Sequence, residues 1–105
     1  MKKLILALAL TLSFGASSNE DKQTHCESIA LLGKSIMTSY QSGVPLSMLF
    51  KIIDGEKSFN KTQKDSIKEM ATLAYEQTKY SSEKYQKEAI LNFENQTFLT
   101  CIKVN

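Results

Sequence analysis

The stretch CESIALLGKSIMTSY, residues 26–40, sets the fold of this chain. Its apolar side chains recur at steps of three and four residues, which is the spacing of one helical stripe. The pattern predicts a first helix from residue 21 or 24 to residue 41, ended by Ser42-Gly43, where glycine suits a left-handed stop. The stripe consists of Cys26, Ile29, Ala30, Gly33, Ile36, Met37 and Tyr40.

Gly33 lies inside this stripe, although glycine in a helix costs about 1 kcal/mol relative to alanine. It either marks the close approach of a second helix or is merely tolerated, and the sequence leaves both interpretations open.

Three more helices are predicted downstream. The second has Pro45 in its first turn, where proline is tolerated, and is closed by Asp54-Gly55. The third covers residues 61–79, capped by Ser58 or Asn60. The fourth begins after Ser81 or Ser82 and runs to residue 102. With no strand alternation in the sequence, the fold class is all-α, a small bundle of about four helices.

Each of these helices has an apolar stripe. The second is apolar on several sides, and we expect burial rather than an exposed patch because small domains need their apolar residues. On the third helix, Lys61, Lys64, Lys68 and Glu69 are predicted to face solvent. The stripes are Leu46, Leu49, Phe50 and Ile53 with Met48 and Ile52; Ile67, Met70, Ala71, Ala74 and Tyr75; and Tyr85, Ala89, Phe93, Gln96 or Thr97, and Cys101 with Ile90 and Phe98.

The first residues have the three parts of a secretory signal: Lys2 and Lys3, the apolar run 4–12, and small residues at 15–18. Cleavage is predicted after Ser17 or Ser18, giving a signal peptide over 1–17 and a single domain over 18–105. A membrane anchor is not expected, because a spanning helix needs about 20 apolar residues and this run is about half as long. A lipoprotein is not expected either, because it needs a cysteine directly after the cut and the first cysteine is Cys26. The remaining alternative is a buried N-terminal helix. The predicted location is therefore periplasmic or secreted, with stable membrane anchoring not expected after cleavage.

Charge argues against a nucleic-acid partner. The chain has 13 lysines, no arginine and 11 acidic residues, so removal of Lys2 and Lys3 leaves a net charge of zero. Arginine is the residue suited to bidentate phosphate recognition, and the lysines are interleaved with acids, as on a solvated surface.

Two cysteines, Cys26 and Cys101, stand near the two ends of the mature chain. An even cysteine count in a short exported chain predicts a disulfide, here between the first and last helices. Two free thiols or an intermolecular bridge are the alternatives. An intramolecular bond would stabilise the fold by up to about 4 kcal/mol through the unfolded chain.

No residues carry a convincing catalytic, cofactor or metal site. His25 is the only histidine, and neighbours in a helix do not face each other, so His25 and Cys26 make a poor dyad. One histidine and two distant cysteines lack zinc spacing, and the acidic row Glu69, Glu76 and Glu83 fits a solvated face. Tyr40, Tyr75 and Tyr85 fall on helical stripes, so core packing explains them better than stacking on a ligand.

Several segments resemble small exported helical proteins of bacteria and their phages, which have a similar leader and two similarly placed cysteines. The resemblance implies the exported helical fold and the disulfide, and it transfers no catalytic residue. Those proteins lead us to expect a basic residue near Tyr40, where this chain departs. The segments are residues 26–45, including Ile36-Met37-Thr38 and Gln41-Ser42-Gly43-Val44-Pro45, then Ala74-Tyr75, Ala89-Ile90, Phe93 and Cys101-Ile102-Lys103.

Three functions follow as hypotheses. The first is a non-catalytic interaction protein that binds another envelope or extracellular protein, as an inhibitor, an immunity factor or a phage-encoded modifier would. The second is a membrane- or lipid-interacting protein that uses the apolar segment 44–53. The third, and the weakest, is an enzyme dependent on Cys26.

Overall fold

The computed structural model describes residues 19–104 of the chain. Within that range it has four helices and no strand: α1 (Asn19–Gln41), α2 (Leu46–Gly55), α3 (Lys61–Tyr75) and α4 (Glu83–Val104). The predicted small all-α bundle is confirmed. The predicted signal peptide and its cleavage sites at Ser17 and Ser18 lie outside the described residues.

Helices α1 and α4 form the most extensive helix pair of the bundle, and they run antiparallel. Cys26, near the start of α1, is joined by a disulfide to Cys101, near the end of α4, with the two Cα atoms 5.5 Å apart. Both cysteines are fully buried. Of the cysteine states that the sequence left open, the fold therefore adopts the bond between the first and last helices.

Gly33 lies where these two helices pack tightly against each other. A Cβ added at Gly33 would stand 2.8 Å from Oγ1 of Thr97 on α4. The Thr97 hydroxyl is itself committed, because it donates a hydrogen bond to the Phe93 carbonyl over 2.7 Å. Of the two interpretations of this glycine, close helix approach is the correct one.

The core lies between the α1–α4 pair and α3, with α2 packed on the outer side of α3. The predicted stripe of α3 is buried at Ile67, Met70, Ala71 and Ala74, with Tyr75 half-buried; Leu73 is also buried, although it lies off that stripe. The buried apolar side chains of the cluster are Cys26, Ile29, Ile36, Met37, Leu49, Ile53, Ile67, Met70, Ala71, Leu73, Ala74, Phe93 and Cys101.

The helix ends follow the predicted signals closely. Gly43 has a φ of 94°, as the stop after α1 requires. Asn60 caps α3 in a capping box. Its side chain accepts a hydrogen bond from the Gln63 N–H, and the Gln63 side chain accepts one from the Asn60 N–H, each over 2.9 Å. Ser82 caps α4, with its Oγ accepting from the Tyr85 N–H over 3.3 Å.

The prediction that α3 continues to residue 79 is wrong, because the helix ends at Tyr75. Side chains from the end of α1 capture the following segment: Gln41 donates to the Thr78 carbonyl and accepts from the Tyr80 N–H, both over 2.9 Å. The Thr78 carbonyl and the Tyr80 N–H are therefore bonded to Gln41 and not to backbone groups of a continued α3.

Burial was also mispredicted on two helices. Tyr85 is 50 % exposed and lies on the surface beside the ring of Tyr80. On α2, Leu49 and Ile53 are buried as expected, but Met48 and Ile52 point away from α3 and are exposed.

The lysines of α3 are only partly solvent-facing. Lys61 is exposed, and Glu69 is too, as predicted. Lys64 instead donates to the Asp54 carbonyl over 2.7 Å. Lys68 forms an ion pair with the Asp54 carboxylate and stands 5.5 Å from the centre of the Phe50 ring. These contacts attach the end of α2 to α3.

Candidate partner-binding surface

The Cys26 sulfur is held in the disulfide, so it is not available as a nucleophile in this form of the protein. His25 is half-buried one position before it on α1. Of the two residues that the sequence offered as a dyad, Cys26 is therefore used to join α1 to α4.

The acidic row does not form a ligand set. Glu69 lies on α3, Glu76 caps the end of that helix, and Glu83 starts α4, and all three are exposed. Between residues 19 and 104, no three histidine, cysteine or acidic side chains come close enough to hold a metal ion. In the same range no helix has the length and apolarity needed to span a membrane.

Tyr40 and Tyr75 pack together, with ring centroids 4.6 Å apart and planes inclined by 43°. Their hydroxyls donate to the Gln77 and Val44 carbonyls. Burial, and next the neighbouring Tyr40, raise the pKa of Tyr75 above its ordinary value. The prediction of core packing is thus confirmed for this pair. Tyr40, near which a basic residue was expected, instead bonds the segment that follows α3 through the Gln77 carbonyl.

Tyr85 behaves differently from the predicted core tyrosine. It lies on the surface beside Tyr80, with ring centroids 5.9 Å apart. The two rings form a small exposed pair.

An exposed surface that includes several apolar side chains follows the groove between α1 and α4, where two depressions lie end to end. The first, of about 330 Å³, is lined by Glu27, Ala30, Leu31, Glu94, Asn95 and Phe98. The second, of about 310 Å³, is lined by Lys34, Thr38, Lys87, Ile90, Leu91 and Glu94. These eleven residues are the α1–α4 surface.

Two leucines dominate this surface. Leu31 is 58 % exposed and Leu91 is 54 % exposed. Leu31 also lines a further apolar depression of about 330 Å³ on the other side of α1, with Phe59 and Ile67 at its far wall. Apolar side chains left this open and grouped in depressions are typical of protein-binding sites rather than of a single tolerated leucine.

Charges of both signs border the apolar groove. The first depression carries the carboxylates of Glu27 and Glu94, and the second carries the ammonium groups of Lys34 and Lys87 together with Glu94. Lys87 stands 3.5 Å from Glu83 in an ion pair that is largely solvent-exposed, and such pairs contribute little. Lys87 therefore remains able to engage a charge brought by a partner, and so does Glu27, whose carboxylate accepts one exposed hydrogen bond from Gln23 over 3.3 Å.

A second apolar area lies on α2. Met48 is 51 % exposed and Ile52 is 61 % exposed. They are four residues apart and so lie one above the other on one helical face, with Lys51 exposed beside them. We call Met48 and Ile52 the α2 ridge.

Sequence reasoning did not identify Leu31 or Leu91. Both lie off the helical stripes that face the core, and that departure was the available signal. Only the packing of α1 on α4 brings the two leucines to one groove.

Comparison with known proteins gives no relative from which a function could be transferred: no family model matches the chain, and no significant match was found among curated proteins or solved structures.

Proposed function

We propose that this is an exported interaction protein, periplasmic or secreted, that binds another envelope or extracellular protein through the α1–α4 surface. The observation that carries the proposal is the pair of exposed leucines in adjoining depressions, bordered by acids and lysines. An inhibitor, an immunity factor and a phage-encoded envelope modifier would all act by such binding.

Rigidity supports this role. The two helices that form the surface are joined by the buried disulfide at one end, and they pack without a side chain at Gly33. A surface that is already ordered loses little conformational entropy on binding, so more of the contact energy appears as affinity.

Export is supported by the same bond and by the leader. Disulfides persist in oxidising compartments and are rare in the cytosol, and residues 1–17 have the composition of a secretory signal. Expression of the precursor in a bacterium, followed by the intact mass of the periplasmic product, tests this part. We expect cleavage after Ser17 or Ser18 and no alkylatable thiol. An uncleaved chain with two reactive thiols would rule out export.

Capture from an envelope extract tests the binding role. The disulfide-bonded domain is immobilised, crosslinked briefly to the extract and analysed by quantitative mass spectrometry. We expect a Leu31→Ser/Leu91→Ser variant to lose its specific partner by about tenfold or more, as for hot-spot residues.

The matched control is a Met48→Ser/Ile52→Ser variant, because it removes two comparably exposed apolar side chains from the α2 ridge. This control should retain the partner. Equal capture by both variants and the unaltered domain would refute binding through the α1–α4 surface.

The α2 ridge favours a second candidate, a protein that rests on a lipid surface through the segment 44–53. Exposed apolar side chains beside a lysine can enter the interface of an anionic bilayer. The test is co-sedimentation with vesicles that contain anionic lipid. This candidate requires binding that Met48→Ser/Ile52→Ser abolishes and Leu31→Ser/Leu91→Ser does not; vesicles that fail to sediment the unaltered domain exclude it.

A further inference from the structure

The α1–α4 surface is long enough to bind a helix of about three turns. Its residues on α1 run from Glu27 to Thr38, which is eleven steps of about 1.5 Å, or about three helical turns. The surface is a groove between two antiparallel helices, and the ridge of a third helix fits into such a groove.

The two depressions match the spacing of anchors on such a helix. Leu31 lines the first depression and Thr38 the second, and seven residues separate them, which is two helical turns. An incoming helix with apolar side chains at positions i and i+7 would place one in each depression. Each depression is open to solvent and has a volume above 300 Å³, so it can contact one apolar side chain of a bound helix.

Charge gives the occupant a polarity. The first depression presents Glu27 and Glu94, whereas the second presents Lys34 and Lys87 with Glu94 between the two depressions. A helix with lysine at the end that meets Glu27 and with carboxylates at the end that meets Lys34 and Lys87 would be complementary. A uniformly charged helix would meet like charge at one end.

We propose that the α1–α4 surface binds an amphipathic helix of its partner, about three turns long, with apolar anchors at i and i+7, acidic residues at one end and basic residues at the other. This inference rests on the proposed function, because it names the partner chemistry for the same surface. The α2 ridge is not part of it.

Three synthetic peptides of fifteen residues test the proposal. They share one leucine-based amphipathic face and differ only in the flanking charges: acidic at one end and basic at the other, all acidic, or all basic. Binding to the disulfide-bonded domain is measured by fluorescence anisotropy. We expect the mixed peptide to bind about tenfold more tightly than either uniform peptide, the sum of a few exposed charge pairs.

A charge-reversed variant sharpens the test. In Lys34→Glu/Lys87→Glu both ends of the groove are acidic, so the all-basic peptide should become the tightest ligand. Lys51→Glu/Lys57→Glu is the matched control, because it makes the same change in net charge at exposed positions outside the surface. The control should preserve the order found with the unaltered domain.

Other occupants would give other results. Equal binding of the three peptides, or none, overturns the proposal. So does self-association in solution that Leu31→Ser/Leu91→Ser abolishes, which assigns the surface to a second copy of the chain. Vesicle binding with the same dependence assigns it to lipid.

The two proposals can fail separately. If capture of an envelope protein depends on Leu31 and Leu91 while the three peptides bind equally tightly or not at all, the proposed function stands and the inference of a helical partner is wrong. If capture does not depend on these leucines, the proposed function fails and this inference fails with it.

Discussion

At Gly33, α1 packs tightly against α4, and the space beside the glycine sets the outcome of a one-carbon change. In Gly33→Ala the new Cβ meets Thr97 Oγ1 at 2.8 Å. Overpacking costs about 1–3 kcal/mol, against about 1 kcal/mol gained in helix propensity. We expect a net fall in the free energy of unfolding, measured by urea denaturation.

Gly55→Ala is the control for that substitution, because among the described residues no atom lies within 4 Å of its added Cβ. It should not lower stability. Adding Thr97→Ala to Gly33→Ala should recover part of the loss, since the two changes act at one contact. A Gly33→Ala protein as stable as the unaltered one would contradict the close approach.

Gln41 makes the second prediction at this scale. Its buried side-chain amide bonds the Thr78 carbonyl and the Tyr80 N–H. In Gln41→Leu both backbone groups lose their hydrogen bond with this side chain, and such a bond contributes about 0.5–1.5 kcal/mol. We expect a fall in melting temperature by thermal circular dichroism. Gln23→Leu, the same change at an exposed site on α1, should have little effect on the melting temperature. An equal fall in the two variants would mean that the bonds from Gln41 to residues 78 and 80 do not stabilise the fold.

Sequence reasoning reached one of these two residues. Gly33 was visible because glycine is out of place in an apolar helical stripe. The role of Gln41 was not, since its partners are 37 and 39 positions away and no local pattern records them.

Individual helices depend on their caps, and α3 offers a test at the scale of the element. Asn60→Ala removes the acceptor of the Gln63 N–H in the capping box. Loss of an N-cap side chain costs about 1 kcal/mol. We expect that decrease in the free energy of unfolding by urea denaturation.

Ser58 was the other predicted cap, and it is the natural control. Its hydroxyl bonds the exposed carboxylate of Glu56 and takes no part in the box. Ser58→Ala should therefore leave stability within about 0.5 kcal/mol of the unaltered protein. If Ser58→Ala is the more damaging of the two, the helix begins differently from the arrangement described.

The starts of helices were easier to predict than their ends. Asn60 and Ser82 act within three residues, so the sequence records the whole interaction. The end of α3 at Tyr75 depends instead on Tyr40 and Gln41, which reach across from α1. Local propensity in residues 76–79 is overridden by these tertiary bonds.

Across the whole molecule, the disulfide closes a loop of 75 residues in sequence separation. In the chain-entropy model such a loop stabilises the folded state by about 4 kcal/mol, a large share of the 5–15 kcal/mol typical of small domains. We expect Cys26→Ser/Cys101→Ser to show a loss of that order by urea denaturation.

Each single variant should be at least as unstable as the double variant, since either change breaks the same bond. A double variant within about 1 kcal/mol of the disulfide-bonded protein would mean that the bundle does not depend on the bond, contrary to the model of loop closure.

At this scale the helical periodicity predicted the architecture, but not the α1–α4 surface. A stripe identifies the side of a helix that its own chain buries. It does not tell whether a leucine off the stripe, such as Leu31, stands alone in solvent or lies in a groove that also exposes a leucine of another helix, as Leu91 does. That depends on how α1 and α4 are rotated against each other, which is set by Gly33 and Thr97.

The disulfide between the first and last helices also determines how the protein responds to a pulling force. Its Cα atoms are 5.5 Å apart, so tension applied at the two ends of the folded chain passes from one to the other through covalent bonds. The bundle between them is bypassed and carries no load. Only after reduction could the enclosed residues be drawn out, adding about 250 Å of contour at roughly 3.3–3.6 Å per residue. With the bond intact, the segment between Cys26 and Cys101 cannot be extended by such a force.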